Sequence, residues 1–365
     1  MLSLRLLTTC LLVSVVISLL PAEDKPKPAA APADEAKSLF NGKNLDGWAN
    51  VNCHPSTFFV KGDEIVTTGT PTGFLRTDKQ YENFELDFDW MHVEKEKMAN
   101  SGLFVWGDPL PGVGTPYTRG IEVQVLINFA PKDGWATSHG DIFSIHGARC
   151  TPDRPHPTRK GMERCLPSEN RVKGGGEWNH YKVIANDGAI KLHVNGKEVS
   201  GVSKSNPRKG YLALESEGVE CHFKNIKIKE LPSTNPKPEE IATVWSGEVS
   251  LFNGSDLKGW TTEKDAWKVG GGVLRAAGKA DLVSAKMLTN GGVLLFDWKV
   301  PAKSTGDVTL DLGGTKVDLK ADKPGSWQRS RILLVPKAGG SAITFKPVEG
   351  LEIMNVFARE LPEKK

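Results

Sequence analysis

The sequence predicts an all-β protein: a jelly-roll β-sandwich followed by a second, shorter and degenerate β-sandwich. Three observations carry this. Short segments alternate strictly between apolar and polar residues, the mark of half-buried strands. Gly-rich turns separate them, drawn from 38 Gly and 23 Pro in 365 residues, and no long amphipathic helix pattern follows residue 37. An ordered set of motifs also occurs twice.

The strands follow in order. In Asn83–Trp90, Phe84, Leu86, Phe88 and Trp90 share one face, with Glu85, Asp87 and Asp89 on the other. In Gly120–Ile127, Ile121, Val123, Val125 and Ile127 oppose Glu122, Gln124 and Leu126. Ala189–Val199 reads as a hairpin turning at Asn195-Gly196, because a type I′ turn needs positive φ at both central residues. Tyr211–Glu215 and His222–Lys229 complete the set. Many short strands with Gly-rich turns argue for a sandwich or jelly roll.

The repeat pairs Leu39–Trp48 (LFNGKNLDGW) with Leu251–Trp260 (LFNGSDLKGW), and Phe88-Asp89-Trp90 with Phe296-Asp297-Trp298. Gly176-Glu177-Trp178 pairs with Gly325-Ser326-Trp327, and Asn225 with Asn355. Trp90 and Trp178 are 88 residues apart, Trp298 and Trp327 only 29, so the second copy lacks 59 residues. The missing stretch is where polar clusters concentrate, so the first copy is expected to hold the complete site. The implied organisation is a signal peptide (1–22), a Pro/Ala linker (23–37), a first domain (38–231), a linker (232–247), a truncated copy (248–361) and a tail (362–365).

Residues 1–20 place one Arg before a long apolar run, the form of a secretory signal, with a retained anchor as the competing reading. A periplasmic or extracellular location follows, with no membrane association beyond that segment. Lys and Arg number 47 against 44 Asp and Glu, a balance that does not argue for nucleic acid. Four Cys remain after Cys10, an even number suited to an oxidising compartment. Cys150–Cys165 is the expected bridge across a long Pro-, Arg- and His-containing loop, 149–170, with Cys53–Cys221 as the second. No C-x-x-C spacing supports a zinc site.

The candidate site lies between residues 100 and 217. Glu122 and Gln124 are two apart on a strand, so they share a face and stand ~7 Å apart. The opposite face is apolar and belongs to the core, so theirs lines either a groove or a solvated surface. Asn100 leads into the strand ending at Trp106, and Arg119 precedes Glu122. His139 with Asp141, and His146 seven residues after His139, suit acid–base work, the Asp setting the His tautomer. Glu215 and Glu217 share another face as paired carboxylates. No cofactor is expected; a divalent metal held by Glu122, His139 and His146 is the weaker reading.

The motifs LFNGKNLDGW (39–48), NFELD (83–87), NSG (100–102), EVQ (122–124), GEWN (176–179), Asn195-Gly196 and FKNI (223–226) cover residues 38–231. In that order they resemble the family called domain of unknown function 1080, described as 3-keto-disaccharide hydrolases or 3-keto-glucoside 1,2-lyases. The resemblance implies a concanavalin A-like jelly roll, secretion and action on oxidised sugars. The chain departs from many members in having Leu103-Phe104-Val105-Trp106 where they carry Arg, and Glu215-Ser216-Glu217 where they carry Gln-x-His.

The activity so implied is cleavage of the glycosidic bond of 3-keto-glucosides, as a hydrolase or lyase. A 3-keto group acidifies the C2 hydrogen, so a base can remove it and expel the C1 substituent. Glu122 or His146 is the candidate base, His139 oriented by Asp141 the candidate acid, and Asn100, Arg119 or Gln124 the candidate holder of the enolate oxygen. Glu215 and Glu217 complete the substrate-binding set. A non-catalytic carbohydrate-binding or adhesive sandwich is the alternative, with Trp106 and Trp135 as its aromatic platform. An ordinary glucanase of the same fold comes third, because its E-x-D-x-x-E strand pattern is absent.

Overall fold

The computed structural model describes residues 35–128, 139–304 and 307–362. The expected signal peptide, nearly all of the Pro/Ala linker, and Trp135 lie outside them. Among the described residues the chain is all-β apart from one 3₁₀ turn, Pro238–Glu240, and no helix is long and apolar enough to cross a membrane.

Two antiparallel sheets stack as a jelly-roll sandwich over residues 37–230. One has seven strands, in the order Arg164–Cys165, Ile142–Ile145, Gly120–Ile127, Ala99–Gly107, Tyr211–Ser216, Gly73–Thr77 and Trp48–Val51. The other has nine, with Phe84–His92 at its centre between Asn179–Asn186 and Cys221–Glu230. Alternation decides what faces inward. Phe84, Leu86, Phe88 and Trp90 from one sheet meet Ile121, Val123, Val125 and Ile127 from the other in a single core. The Asn195-Gly196 turn has φ of 46° and 89°, so the hairpin closes as its sequence requires.

A six-strand and a five-strand sheet form a second sandwich over residues 249–360, around Phe296, Trp298 and Phe345. Both sandwiches belong to one compact unit. Their contact is made by the outer face of the seven-strand sheet. Val51, Phe74, Phe104 and Ala213 on that face pack against Leu295 and Phe357. The segment between the sandwiches is strapped to the first: Gln80 Nε2 donates to Ala242 O at 2.9 Å, and Trp245 N to the Tyr211 hydroxyl at 2.6 Å.

Two expectations are corrected. Cys53, Cys150, Cys165 and Cys221 are free, buried thiols. Cys150 lies on a strand of the nine-strand sheet and Cys165 on one of the seven-strand sheet. Each Sγ turns to a main-chain carbonyl, Glu163 O and Leu166 O, at 3.7 Å. The Glu163 carboxylate ties the loop instead, accepting from Ser144 Oγ at 2.7 Å and Cys150 N at 3.1 Å and pairing with Arg149 at 2.7 Å. Burial pushes the Cys150 thiol up to about 12.

Trp106 is the second correction. Strict alternation puts it on the face of Asn100, but it is fully buried in the core, where its Nε1 donates to Glu82 O at 2.7 Å. A register shift in the pairing with Tyr211–Ser216, and a φ of 56° at Trp106 itself, rotate the side chain inward. It cannot serve as a sugar platform.

Candidate active site

The outer face of the seven-strand sheet is divided. One end is covered by the second sandwich at Phe104, and the other end is a cavity of about 330 Å³ lined by Asn100, Glu122, Gln124, Glu215 and Glu217 together with Met98, Tyr117, Leu126, Phe143, Ile145, His146 and Arg164. Register explains the gathering. Gly102 pairs with Gln124, and Phe104 with Glu122 on one side and Ala213 on the other. Two residues beyond Ala213, Glu215 therefore shares the face of Gly102 and Glu122.

Gly102 is what lets two carboxyls meet. A Cβ there would lie 2.9 Å from Glu215 Oε2 and 3.0 Å from Glu122 Oε1. The two carboxyl groups thus stand at most about 6 Å apart, against ~5–5.5 Å for the pair in retaining glycosidases. Both are buried, and burial is the main reason both protonate more readily than usual. Glu122 is raised to about 8, with Glu217 adding to the shift and Arg164 opposing it. Glu215 is raised well above the ordinary range by burial, then by Glu122 and Glu217. Apart from the neighbouring Glu217 carboxyl, no group among the described residues hydrogen-bonds the Glu215 oxygens.

A chain of polar contacts orients the rest. Arg164 only donates, so Gln124 must turn its carbonyl toward it, at 3.5 Å. Gln124 Nε2 then faces Asn100 Oδ1 at 2.5 Å, and Asn100 Nδ2 faces Glu217 Oε2 at 2.5 Å. The other Glu217 oxygen accepts from the Tyr117 hydroxyl at 2.8 Å. Burial and the carboxylates nearby raise the Tyr117 hydroxyl, so it stays a donor. Its ring stacks on His146, centroids 5.6 Å apart and 12° from parallel. His146 takes a left-handed φ of 49°, with Thr115 Oγ1 at 3.3 Å from its Nε2, and burial lowers its pKa.

Of the residues expected from sequence, Asn100, Glu122, Gln124, His146, Glu215 and Glu217 come together at this cavity. Besides Trp106, three do not act as expected. Arg119 is committed to Asp108 through two bonds of 2.7 and 3.1 Å and does not line the cavity. Asp141 forms a buried ion pair with Arg164 at 2.6 Å. His139 is buried outside the cavity lining, and burial holds it down to about 4, so at neutral pH it has no imidazolium proton to give. The trio Glu122, His139 and His146 is therefore not assembled. Among the described residues no three His, Cys, Asp or Glu side chains gather as a metal would require.

Sequence reasoning missed Tyr117 and Arg164. Arg164 lies in the long loop, and its two-residue strand beside Ile142–Ile145 brings it in. Tyr117 sits in a Pro/Gly-rich loop with no periodicity to place it.

What this arrangement can do chemically is move protons. Two neutral-prone carboxyls, a hydrogen-bonded third, a guanidinium and fixed amides surround one small cavity, which supplies acid, base and oxyanion partners together.

Two structures from Parabacteroides distasonis, each provisionally described as a glycosyl hydrolase, are similar. One is 24% identical, with TM-score 0.41 over 55% of this chain and 95% of its own. The other is 21% identical, with TM-score 0.38 over 54% and 100%. A carbohydrate-binding module of Bacillus subtilis is 14% identical, with TM-score 0.32 over 50% and 96%. No curated protein sequence matches. The model of the 3-keto-alpha-glucoside-1,2-lyase-like domain matches residues 35–229, more than half of the chain and the whole of the sandwich that carries the cavity, and the chain belongs to that family.

Proposed function

We propose that the protein cleaves the glycosidic bond of 3-keto-glucosides by removing the C2 proton and eliminating the C1 substituent. The observation that carries this reading is the convergence of Glu122 and Glu215 over Gly102, two buried carboxyls that both protonate more readily than usual. Glu122 takes the C2 proton, and the C–H electrons form the enolate toward C3. The enolate expels the C1 oxygen, leaving a C1=C2 double bond. Glu215, which stays protonated, gives its proton to the departing oxygen. Arg164 and the amides of Gln124 and Asn100 hold the enolate oxygen. Water adding back across C1 and C2 turns the elimination into a net hydrolysis.

Incubating the full chain with a 3-keto-glucoside in D₂O tests this. Hydrolysis through elimination leaves deuterium at C2 of the released sugar, and Glu122→Gln lowers turnover at least ~10²-fold. The carboxyl separation favours a second reading, a retaining glycosidase. That reading requires turnover of unoxidised glucosides with no label at C2. Sugar binding without turnover of either substrate would leave a binding module.

We also propose that the protein is exported through residues 1–22 and that its two sandwiches descend from one duplicated unit. Trp48 and Trp260 support the second idea: each donates Nε1 to the carbonyl nine residues earlier, Leu39 or Leu251, at 2.8 Å.

A further inference from the structure

We propose that the second sandwich positions the active site of the first: Asp297, Arg329 and Asn355 hold the 108–118 loop so that Tyr117 and His146 stand at the cavity. As a statement about catalysis it rests on the function proposed above; as a statement about geometry it does not.

The loop connects Ala99–Gly107 to Gly120–Ile127, and its far side is bound by groups of the other sandwich. Asp297 is fully buried. Its carboxylate accepts from Gly114 N at 3.0 Å, from Asn355 Nδ2 at 2.7 Å and from Arg329 at 2.6 and 2.9 Å. Asn355 also donates to Thr115 O at 2.9 Å, and Arg329 to Pro111 O at 2.8 Å. Gly114, with φ of 70°, lies so close that a Cβ would stand 2.3 Å from Trp327 Cγ. One residue further on Thr115 meets His146, and three residues further on Tyr117 reaches Glu217 in the cavity. Loop and cavity are therefore one mechanical piece.

The first sandwich carries a matching cluster with no loop of the described residues seated on it. Asn225 Nδ2 donates to Asp89 Oδ2 at 2.6 Å, and His180 pairs with Asp89 at 2.8 Å. These positions answer to Asn355, Asp297 and Arg329: His180 pairs in register with Asp89 as Arg329 does with Asp297. There the cluster lies on an exposed surface. In the second sandwich the same arrangement is buried against the loop.

The test uses the full chain and Asn355→Ala, which changes no charge. That matters because His146 faces many charges. Glu122, Glu215, Glu217 and Arg164 share the site cavity with it. Asp108, Arg119, Glu248, Arg329 and Arg331 line the cavity between the sandwiches, which His146 also borders. Two quantities are read: kcat and KM on a 3-keto-glucoside, and the NMR titration of His146, assigned by its loss in His146→Gln. Releasing the loop admits water to the ring, so the titration should move up toward the ordinary histidine value, and kcat should fall ~10–10²-fold. Asn225→Ala, the matching change in the first sandwich, should alter neither. If Asn355→Ala does not fold, Gly114→Ala pushes the loop from its own side and is read in the same way. Unchanged titration and kcat in a folded variant would overturn the proposal. Should the parent protein turn over no 3-keto-glucoside, the activity reading fails, and the titration alone decides this one.

Discussion

The Tyr117 hydroxyl donates to Glu217 Oε1 at 2.8 Å, joining the loop after one central strand to the end of its neighbour. Glu217 otherwise accepts from Asn100, so Tyr117→Phe removes one of the two donors that fix this carboxylate. A hydrogen bond to a charged group is worth ~1.5–3 kcal/mol. We expect a loss of stability toward the lower end of that range, since the pair is only partly buried, and a fall in turnover. Chemical denaturation and steady-state kinetics measure both.

The buried Glu122 sets two pH dependences. As a base it must be ionised, so turnover should rise with pH through about 8 and level off above. Stability runs the other way. The folded-state pKa lies above the unfolded one, so between them the native state holds more protons and is weakened as pH rises. Glu122→Gln should flatten that decline between about pH 4.5 and 8. Melting temperatures of the two proteins across that range check the sign; a parallel decline in both would remove Glu122 as its source.

Gly102→Ala places a methyl group between two carboxyls. Its nearest neighbours belong to the flexible side chains of Glu122 and Glu215, so the strand should fold and the carboxyls should move. We expect turnover to fall ~10²-fold, as for a misplaced catalytic group, with a stability loss of ~1–3 kcal/mol from the added methyl group. A variant with full activity would show that the carboxyl spacing is not critical.

Trp106→Ala should act on stability and not on sugar recognition. The ring is wholly buried, and truncating such a side chain costs ~3–5 kcal/mol. Any remaining folded protein should keep its affinity for sugar ligands, measured by calorimetry.

The face that carries the site was legible because Glu122 and Gln124 alternate with Ile121, Val123 and Val125, and alternation survives folding wherever the ladder is regular. Glu215 and Glu217 were legible for the same reason. Trp106 was not, because the register shift beside it is set by the partner strand and leaves no mark in its own sequence. His139 and Asp141 misled by proximity. Standing two residues apart in a motif says nothing about roles when an arginine 23 residues later binds the carboxylate. Tyr117 depends on a loop whose shape is fixed by Asp297, 183 positions beyond Gly114, and no local pattern encodes that.

A loop moored at both ends and in the middle has little room to vary. Lengthening the 108–118 segment by one residue would shift either the Gly114 anchor or the Tyr117 hydroxyl, because the two are only three positions apart. New substrate preferences are therefore easier to reach through the 149–170 loop, which meets the cavity at Arg164 and has no anchor among these second-sandwich residues. The second sandwich acts as the fixed wall against which that segment is braced.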